Sequence, residues 1–313
     1  MAINKAMRAA LKALSYPEPN VKKTYKLERQ LDELSKTPKT PPITYRMWNH
    51  IVYSGSHSIP VRLFAPKRPE SCGVLVFFHG GGWVKGNIDS YSGVCANMAK
   101  LTGRLVVSVD YRLAPEYTFP AAAEDCYAVT RELFLDSRLL GVSTSDIALI
   151  GDSAGGNLAA VVSLMARDRG DFLPSKQILI YPATYNDHSE MSPFESVRTN
   201  GTDYLLTSRR VEQFMQLYCP DPEEQKNPYF APLLAESLRN QPYTLVITAE
   251  YDPLRDEGEA YAKRLRDDGG ICISFRMPDA LHGFFALPAR FAQVKRAYSV
   301  INDFLNEVGV EKN

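Results

Sequence analysis

Five short apolar runs constrain this chain more than any other feature: residues 74–78, 105–109, 147–150, 178–181 and 245–248 are almost unbroken stretches of Val, Leu, Ile and Phe. A strand with one face in water alternates apolar with polar residues. A run without alternation has to be covered on both faces, as in the middle of a parallel sheet. Helical candidates at 90–102, 121–135, 157–169 and 257–268 fall between the runs. Strand and helix therefore alternate, which predicts the α/β class: a mostly parallel central sheet flanked by helices, joined by right-handed crossovers. A strand is also expected at 271–275, and an antiparallel pair at 45–53 and 59–64 around the turn Ser54-Gly55-Ser56.

Chemistry concentrates where these strands end. The third run leads into Gly151-Asp152-Ser153-Ala154-Gly155-Gly156 and a helix follows. Gly-x-Ser-x-Gly alone is weak, with ~0.08 chance matches expected in a chain of this composition. Between a strand and a helix it is far more specific. The serine then occupies a tight, strained turn, and a glycine two residues to either side avoids a clash. The first run leads into His79-Gly80-Gly81-Gly82-Trp83. Consecutive glycines leave backbone N–H groups open to an oxyanion, and we assign that role to the N–H groups of Gly81, Gly82 and Ala154. A phosphate loop would need a different glycine spacing or a Gly-Lys-Ser/Thr ending. His79 precedes the loop and is expected to stiffen it.

A serine needs a base, and only His188 and His282 follow Ser153. His188 sits in the polar stretch Asn186-Asp187-His188 and is expected to be solvated. His282 lies in Asp279-Ala280-Leu281-His282-Gly283-Phe284, past the last strand, where a ring can reach back across the strand ends. A neutral imidazole there can take and return the serine proton. The orienting acid is expected at Asp252, just beyond the strand at 245–248, with Asp256 the next choice. Asp256 and Glu257 are expected to cap the following helix. The order Ser–Asp–His is that of α/β-hydrolases.

With these residues in place the chain resembles the hormone-sensitive-lipase family of esterases, especially its bacterial members. The resemblance is carried by His79–Trp83, by Asp110-Tyr111-Arg112-Leu113-Ala114-Pro115-Glu116, by Gly151–Gly156, and by the stretch from Asp252 to Gly258 with His282-Gly283-Phe284. It implies an α/β-hydrolase fold with a helical cap. It also implies Ser153 as nucleophile, His282 as base, Asp252 as acid, oxyanion donors at Gly81, Gly82 and Ala154, and no cofactor or metal. The expected division is a catalytic domain at 46–183 and 228–313, with a cap from 1–45 and the polar insertion 184–227. The segment from Asp110 to Glu116 is expected to hold a buried turn near the glycine loop. Trp83, Tyr204, Leu205, Leu206 and Phe284 are candidates for the acyl pocket. Their bulk suits short acyl chains, from acetyl to about hexanoyl.

Lys plus Arg equals Asp plus Glu at 36 each. Nothing then favours nucleic acid or an anionic surface, and a small neutral ester is the expected partner. A homodimer is compatible with the sequence. No stretch approaches the ~20 apolar residues of a membrane span, and a cytoplasmic location is expected. Five dispersed cysteines, Cys72, Cys95, Cys126, Cys219 and Cys272, read as buried thiols in a reducing compartment. Residues 3–35 are expected to be helical, with Ile3, Met7, Leu11 and Leu14, then Leu27, Leu31 and Leu34, recurring at helical spacing, and Pro17 and Pro19 between them. These helices are expected to pack on their own protein. Three rival readings share parts of the pattern: an arylformamidase-like amidase, a lipase for longer chains, and a binding protein of the kind plant gibberellin receptors represent. The last lacks a working histidine, whereas His282 is present here.

Overall fold

The computed structural model describes residues 5–16, 18–36, 45–55, 57–66, 73–137 and 141–307. The expected link at 37–42, along with Ile3, Pro17 and Cys72, lies outside them, as does the side chain of Leu34. Among the described residues the strands are β1 (Tyr45–Ser54), β2 (His57–Pro66), β3 (Val74–Phe78), β4 (Leu105–Val109), β5 (Ile147–Asp152), β6 (Lys176–Ile180), β7 (Tyr243–Tyr251) and β8 (Cys272–Leu281). They form one sheet in the order β1-β2-β4-β3-β5-β6-β7-β8. The β1–β2 and β2–β4 pairings are antiparallel and the remainder parallel.

The unbroken apolar runs are explained by what covers them. Every residue of β3 is buried, with Val74, Val76 and Phe78 in one core cluster and Leu75 and Phe77 in the other. The helices α4 (Ala121–Leu135), α5 (Ala154–Arg169) and α8 (Arg255–Asp267) supply buried side chains to the first cluster. Helices α3 (Ser92–Thr102) and α9 (Ala292–Leu305) supply the second. The chain places β4 on one side of β3 and β5 on the other, so a crevice opens beyond the carboxyl ends of β3 and β5. Open α/β sheets bind ligands at such a point.

Among the described residues, the helices α1 (Lys5–Ser15), α2 (Val21–Lys36), α6 (Glu195–Thr199) and α7 (Ser208–Tyr218) lie outside this sandwich. The helical reading of the N-terminal segment holds, but its facing is reversed. Leu27 and Leu31 are 58% and 55% exposed, while Val21 is buried and Tyr25, Glu28 and Arg29 turn inward. Leucine burial, worth roughly 1.5–3 kcal/mol per side chain, is forgone. Polar bonds hold α1 and α2 instead: Arg8 to Asp203 (3.1 Å), Leu205 N–H to Ser15 Oγ (3.0 Å) and Val21 N–H to Gln213 (2.7 Å). Four cysteines, Cys95, Cys126, Cys219 and Cys272, are buried free thiols. Burial pushes Cys95 and Cys272 up to about 12.

Candidate active site

Ser153 sits between the end of β5 and the start of α5 with φ 56° and ψ −119°. A non-glycine residue in that region stores ~1–3 kcal/mol of strain and persists only where its surroundings over-determine it. Here they do. A Cβ on Gly151 would lie 2.1 Å from Gly155 O, and one on Gly155 would lie 1.9 Å from Phe78 O. Both glycines are thus required for the turn to close against β3. Ser153 N–H donates to Ile180 O (2.9 Å), which ties the turn to β6.

The structure brings the three expected residues together. Ser153 Oγ lies 2.9 Å from His282 Nε2, and His282 Nδ1 lies 2.7 Å from Asp252 Oδ2. Asp252 is fully buried, and its other oxygen accepts Leu254 N–H (2.9 Å). Asp252, and not Asp256, faces the imidazole. His282 follows directly on β8, whose irregular end runs to Leu281 and includes Asp279 at φ 54°, so residues 279–281 are strand and not loop. Beneath the imidazole, Tyr181 packs with ring centroids 4.7 Å apart. Burial, reinforced by the nearby Asp152, pushes the Tyr181 phenol far above its usual range, so it stays neutral.

The glycine loop runs past this group in consecutive left-handed conformations: Gly81 at φ 125°, Gly82 at 63° and Trp83 at 58°. A Cβ on Gly81 would meet Lys85 O at 2.2 Å, and one on Gly82 would press into the Phe214 ring at 2.4 Å. Gly80 N–H donates to Asp152 Oδ1 (2.8 Å), which links the loop to the serine turn. His79 stiffens the loop as expected. Its Nδ1 donates to Gly80 O (2.9 Å), and its ring stacks on Tyr111 at 4.3 Å. Tyr111 OH donates in turn to His79 O (2.6 Å). The segment from Asp110 to Glu116 therefore does buttress the loop, and Ala114 N–H donates to Trp83 O (2.9 Å).

A cavity of about 430 Å³ opens above Ser153 and His282, lined also by Gly81, Gly82, Trp83, Ala154, Leu205 and Leu206. Two expected pocket residues do not line it. Phe284 is buried in the core with its ring edge-on to Tyr181 (5.3 Å), and Tyr204 stacks on Tyr251 (5.0 Å). Lining that the sequence did not suggest comes from Lys85, Arg210, Val211, Phe214 and Leu287. Three of these, Arg210, Val211 and Phe214, lie on α7, whose placement beside the serine no local pattern revealed.

His188 is a correction. It is not solvated: its side chain is fully buried and its Nε2 lies 2.7 Å from Glu257 Oε2. Asp256 and Glu257 do stand in the first turn of α8 as expected, but their hydrogen bonds go elsewhere than to its N–H groups. Glu257 Oε1 accepts the N–H groups of Thr184 (2.6 Å) and Tyr185 (3.2 Å), and Asp256 accepts Ser196 N–H (2.7 Å). Asn200 completes the brace by donating to Asp252 O (3.2 Å) and Glu250 O (3.3 Å). These residues lie in a polar stretch whose partners are distant in sequence, so nothing local revealed them.

A serine on a strained strand-to-helix turn, a histidine after the last strand and an acid after the strand beside it, all on this sheet, define a serine hydrolase of the α/β-hydrolase fold. The chain belongs to the alpha/beta hydrolase fold family, whose model matches residues 75–286. It is 39% identical over 241 residues to an arylesterase of Saccharolobus solfataricus, covering 76% of each protein. It is 36% identical over 236 residues to an ethyl acetate hydrolase of Pseudomonas putida, covering 74% of this chain and 73% of that one. A hyperthermophilic esterase from Pyrobaculum calidifontis superposes with a TM-score of 0.85 at 36% identity, over 99% of this chain and 100% of that one. Among the described residues no helix is long and apolar enough to cross a membrane.

Proposed function

We propose that this chain is a carboxylesterase that hydrolyses short-chain acyl esters through an acyl-enzyme. The observation that carries the reading is the unbroken chain of contacts from Ser153 Oγ through His282 to the buried Asp252. Ser153 attacks the ester carbonyl while His282 Nε2 takes its proton. Asp252 holds Nδ1–H, and so fixes the tautomer and stabilises the imidazolium. The oxyanion is received by the N–H groups of Gly81, Gly82 and Ala154. His282 returns the proton to the leaving alcohol, and a water that it activates then releases the acid.

A short acyl chain fits a cavity of about 430 Å³ whose walls are closed by Trp83, Leu206 and Phe214. Residues 1–45 and 184–227 act as the cap over a catalytic domain at 46–183 and 228–313, since α7 and its flanks contribute Leu205, Leu206, Arg210, Val211 and Phe214 to the cavity. The four buried thiols fit a cytoplasmic location. The test is turnover of p-nitrophenyl esters from acetate to palmitate beside Ser153→Ala, with an aryl formamide as comparison. A maximum at short chains that vanishes in the variant supports the proposal. No ester turnover by folded wild type, or faster formamide cleavage, refutes it.

A further inference from the structure

The glycine loop carries three consecutive left-handed residues, a conformation that neighbours must impose. Other contacts account for part of this restraint: Asp152 grips Gly80 N–H, and Trp83 stacks on Tyr218 of α7 at 4.8 Å. A guanidinium from α2 reaches the same loop. Arg29, on the inward face of α2, donates from Nε to Val84 O (2.7 Å) and from Nη2 to Ala114 O (2.7 Å). Val84 lies two residues past Gly82, beyond Trp83. Ala114 lies on the turn whose own N–H holds Trp83 O, so the guanidinium locks two loops that already hold each other.

The guanidinium is itself fixed. Glu116 takes it bidentately, with Nη1 at 3.1 Å and Nη2 at 2.9 Å, and the Tyr25 ring lies 4.9 Å beneath it. Burial tends to raise the Glu116 pKa, but its bonds to Arg29 outweigh that and hold it below the usual carboxylate range. The residue before Arg29 acts on the same loop from the other side. Glu28 accepts from Lys85 (2.9 Å) and also pairs with Arg210 of α7. A planar group with fixed donors suits this bridging in a way a lysine cannot match.

We propose that Arg29 is a positioning residue for the oxyanion hole, holding the Gly81 and Gly82 N–H groups at the reacting carbonyl through Val84 O and Ala114 O. The proposal rests on the esterase reading and on those two glycines as donors. The inside-out facing of α2 follows from it: its charged face has the structural task, and its leucines are left outside.

The test uses Arg29→Gln and Arg29→Lys in the full chain, with p-nitrophenyl butyrate and an alkyl trifluoromethyl ketone. The ketone accepts Ser153 Oγ at its carbonyl carbon. The serine proton passes to His282, and the carbonyl oxygen becomes the oxyanion that the loop must receive. Complete loss of one oxyanion donor costs ~10²–10³ in rate, so a displaced loop should cost about 10–10² in kcat. KM should stay within about twofold, and ketone affinity should weaken by the same factor as kcat/KM. Lysine should do little better than glutamine. Wild-type kcat and ketone affinity in the folded variants would overturn the proposal, as would a loss confined to KM. Should both variants fail to fold, Glu116→Gln, which keeps the two carbonyl bonds but frees the guanidinium, must show a smaller loss of the same kind, and an unchanged kcat there would overturn it. Failure of the esterase reading is separable, because it would leave wild type itself without ester turnover.

Discussion

Two histidines in this chain each lie 2.7 Å from a carboxylate, and the two carboxylates stand at either end of one short segment, Asp252 and Glu257. Only one pair is arranged for chemistry. His282 keeps a partly exposed ring in the cavity wall, with its second nitrogen 2.9 Å from Ser153 Oγ. His188 is sealed: it has no accessible side-chain surface, and its carboxylate spends its other oxygen on two backbone N–H groups. The comparison shows that a close His–carboxylate contact does not define a proton relay. What matters is whether the second ring nitrogen meets a nucleophile at an open cavity. The sealed pair instead fastens residues 184–188 to α8, directly behind the turn that carries Asp252.

The largest effects should fall on the open pair. Ser153→Ala should lower kcat by up to ~10⁶, read by single-turnover kinetics with p-nitrophenyl butyrate. Asp252→Asn keeps the shape but favours the wrong tautomer of His282, and should cost ~10⁴. A loss below about tenfold in Asp252→Asn would mean that the imidazole is oriented by something else. It would also remove the contrast between the two pairs.

How far these pairs could be told apart in advance depends on the range of the interactions. The strands and the helix 121–135 follow from apolar runs and helical periodicity, which are local, and the structure matches that helix residue for residue in α4. Ser153, His282 and Asp252 are legible because each follows a strand end, and chain order limits the choice. His188 is not legible: Asn186-Asp187-His188 has the composition of a solvated loop, and only the tertiary contact with Glu257 buries it. The same holds for α2, where Leu27 and Leu31 mark the apolar face while Arg29 and Glu28 find their partners in distant loops. Helix α6 is too short to show a period, yet its Ser196 donates to Pro253 O (2.8 Å) and accepts from Asp256 N–H (3.2 Å).

The sealed pair should show a different signature when broken. Glu257→Gln removes the charge from a fully buried site and leaves His188 without its counter-ion. Loss of one member of a buried ion pair typically costs ~3–5 kcal/mol. Stability measured by urea unfolding should fall by about that amount. The folded fraction should still turn over esters within about tenfold of wild type, because Asp252, His282 and Ser153 keep their contacts. A fall in kcat as large as that of Asp252→Asn, at unchanged stability, would place Glu257 in the reaction and erase the distinction.

The smallest effect, and the sharpest on the sealed pair, concerns pH. Burial alone would lower the His188 pKa, but the charge and hydrogen bond of Glu257 outweigh it, with Asp187 and Glu212 adding to the attraction, so the folded value lies above the ordinary 6.5. A group whose pKa is raised on folding binds its proton more tightly in the native state. Its contribution to stability is therefore complete below about 6.5 and is lost as pH rises through the folded value. The difference in Tm between wild type and His188→Gln should accordingly be greatest near pH 6 and shrink toward pH 9. The pH dependence of kcat should be the same in both proteins, since His188 does not touch the reacting atoms. A Tm difference that stays constant across that range would mean that His188 is neutral when folded, so that the pair is an ordinary hydrogen bond and the brace behind Asp252 carries no charge.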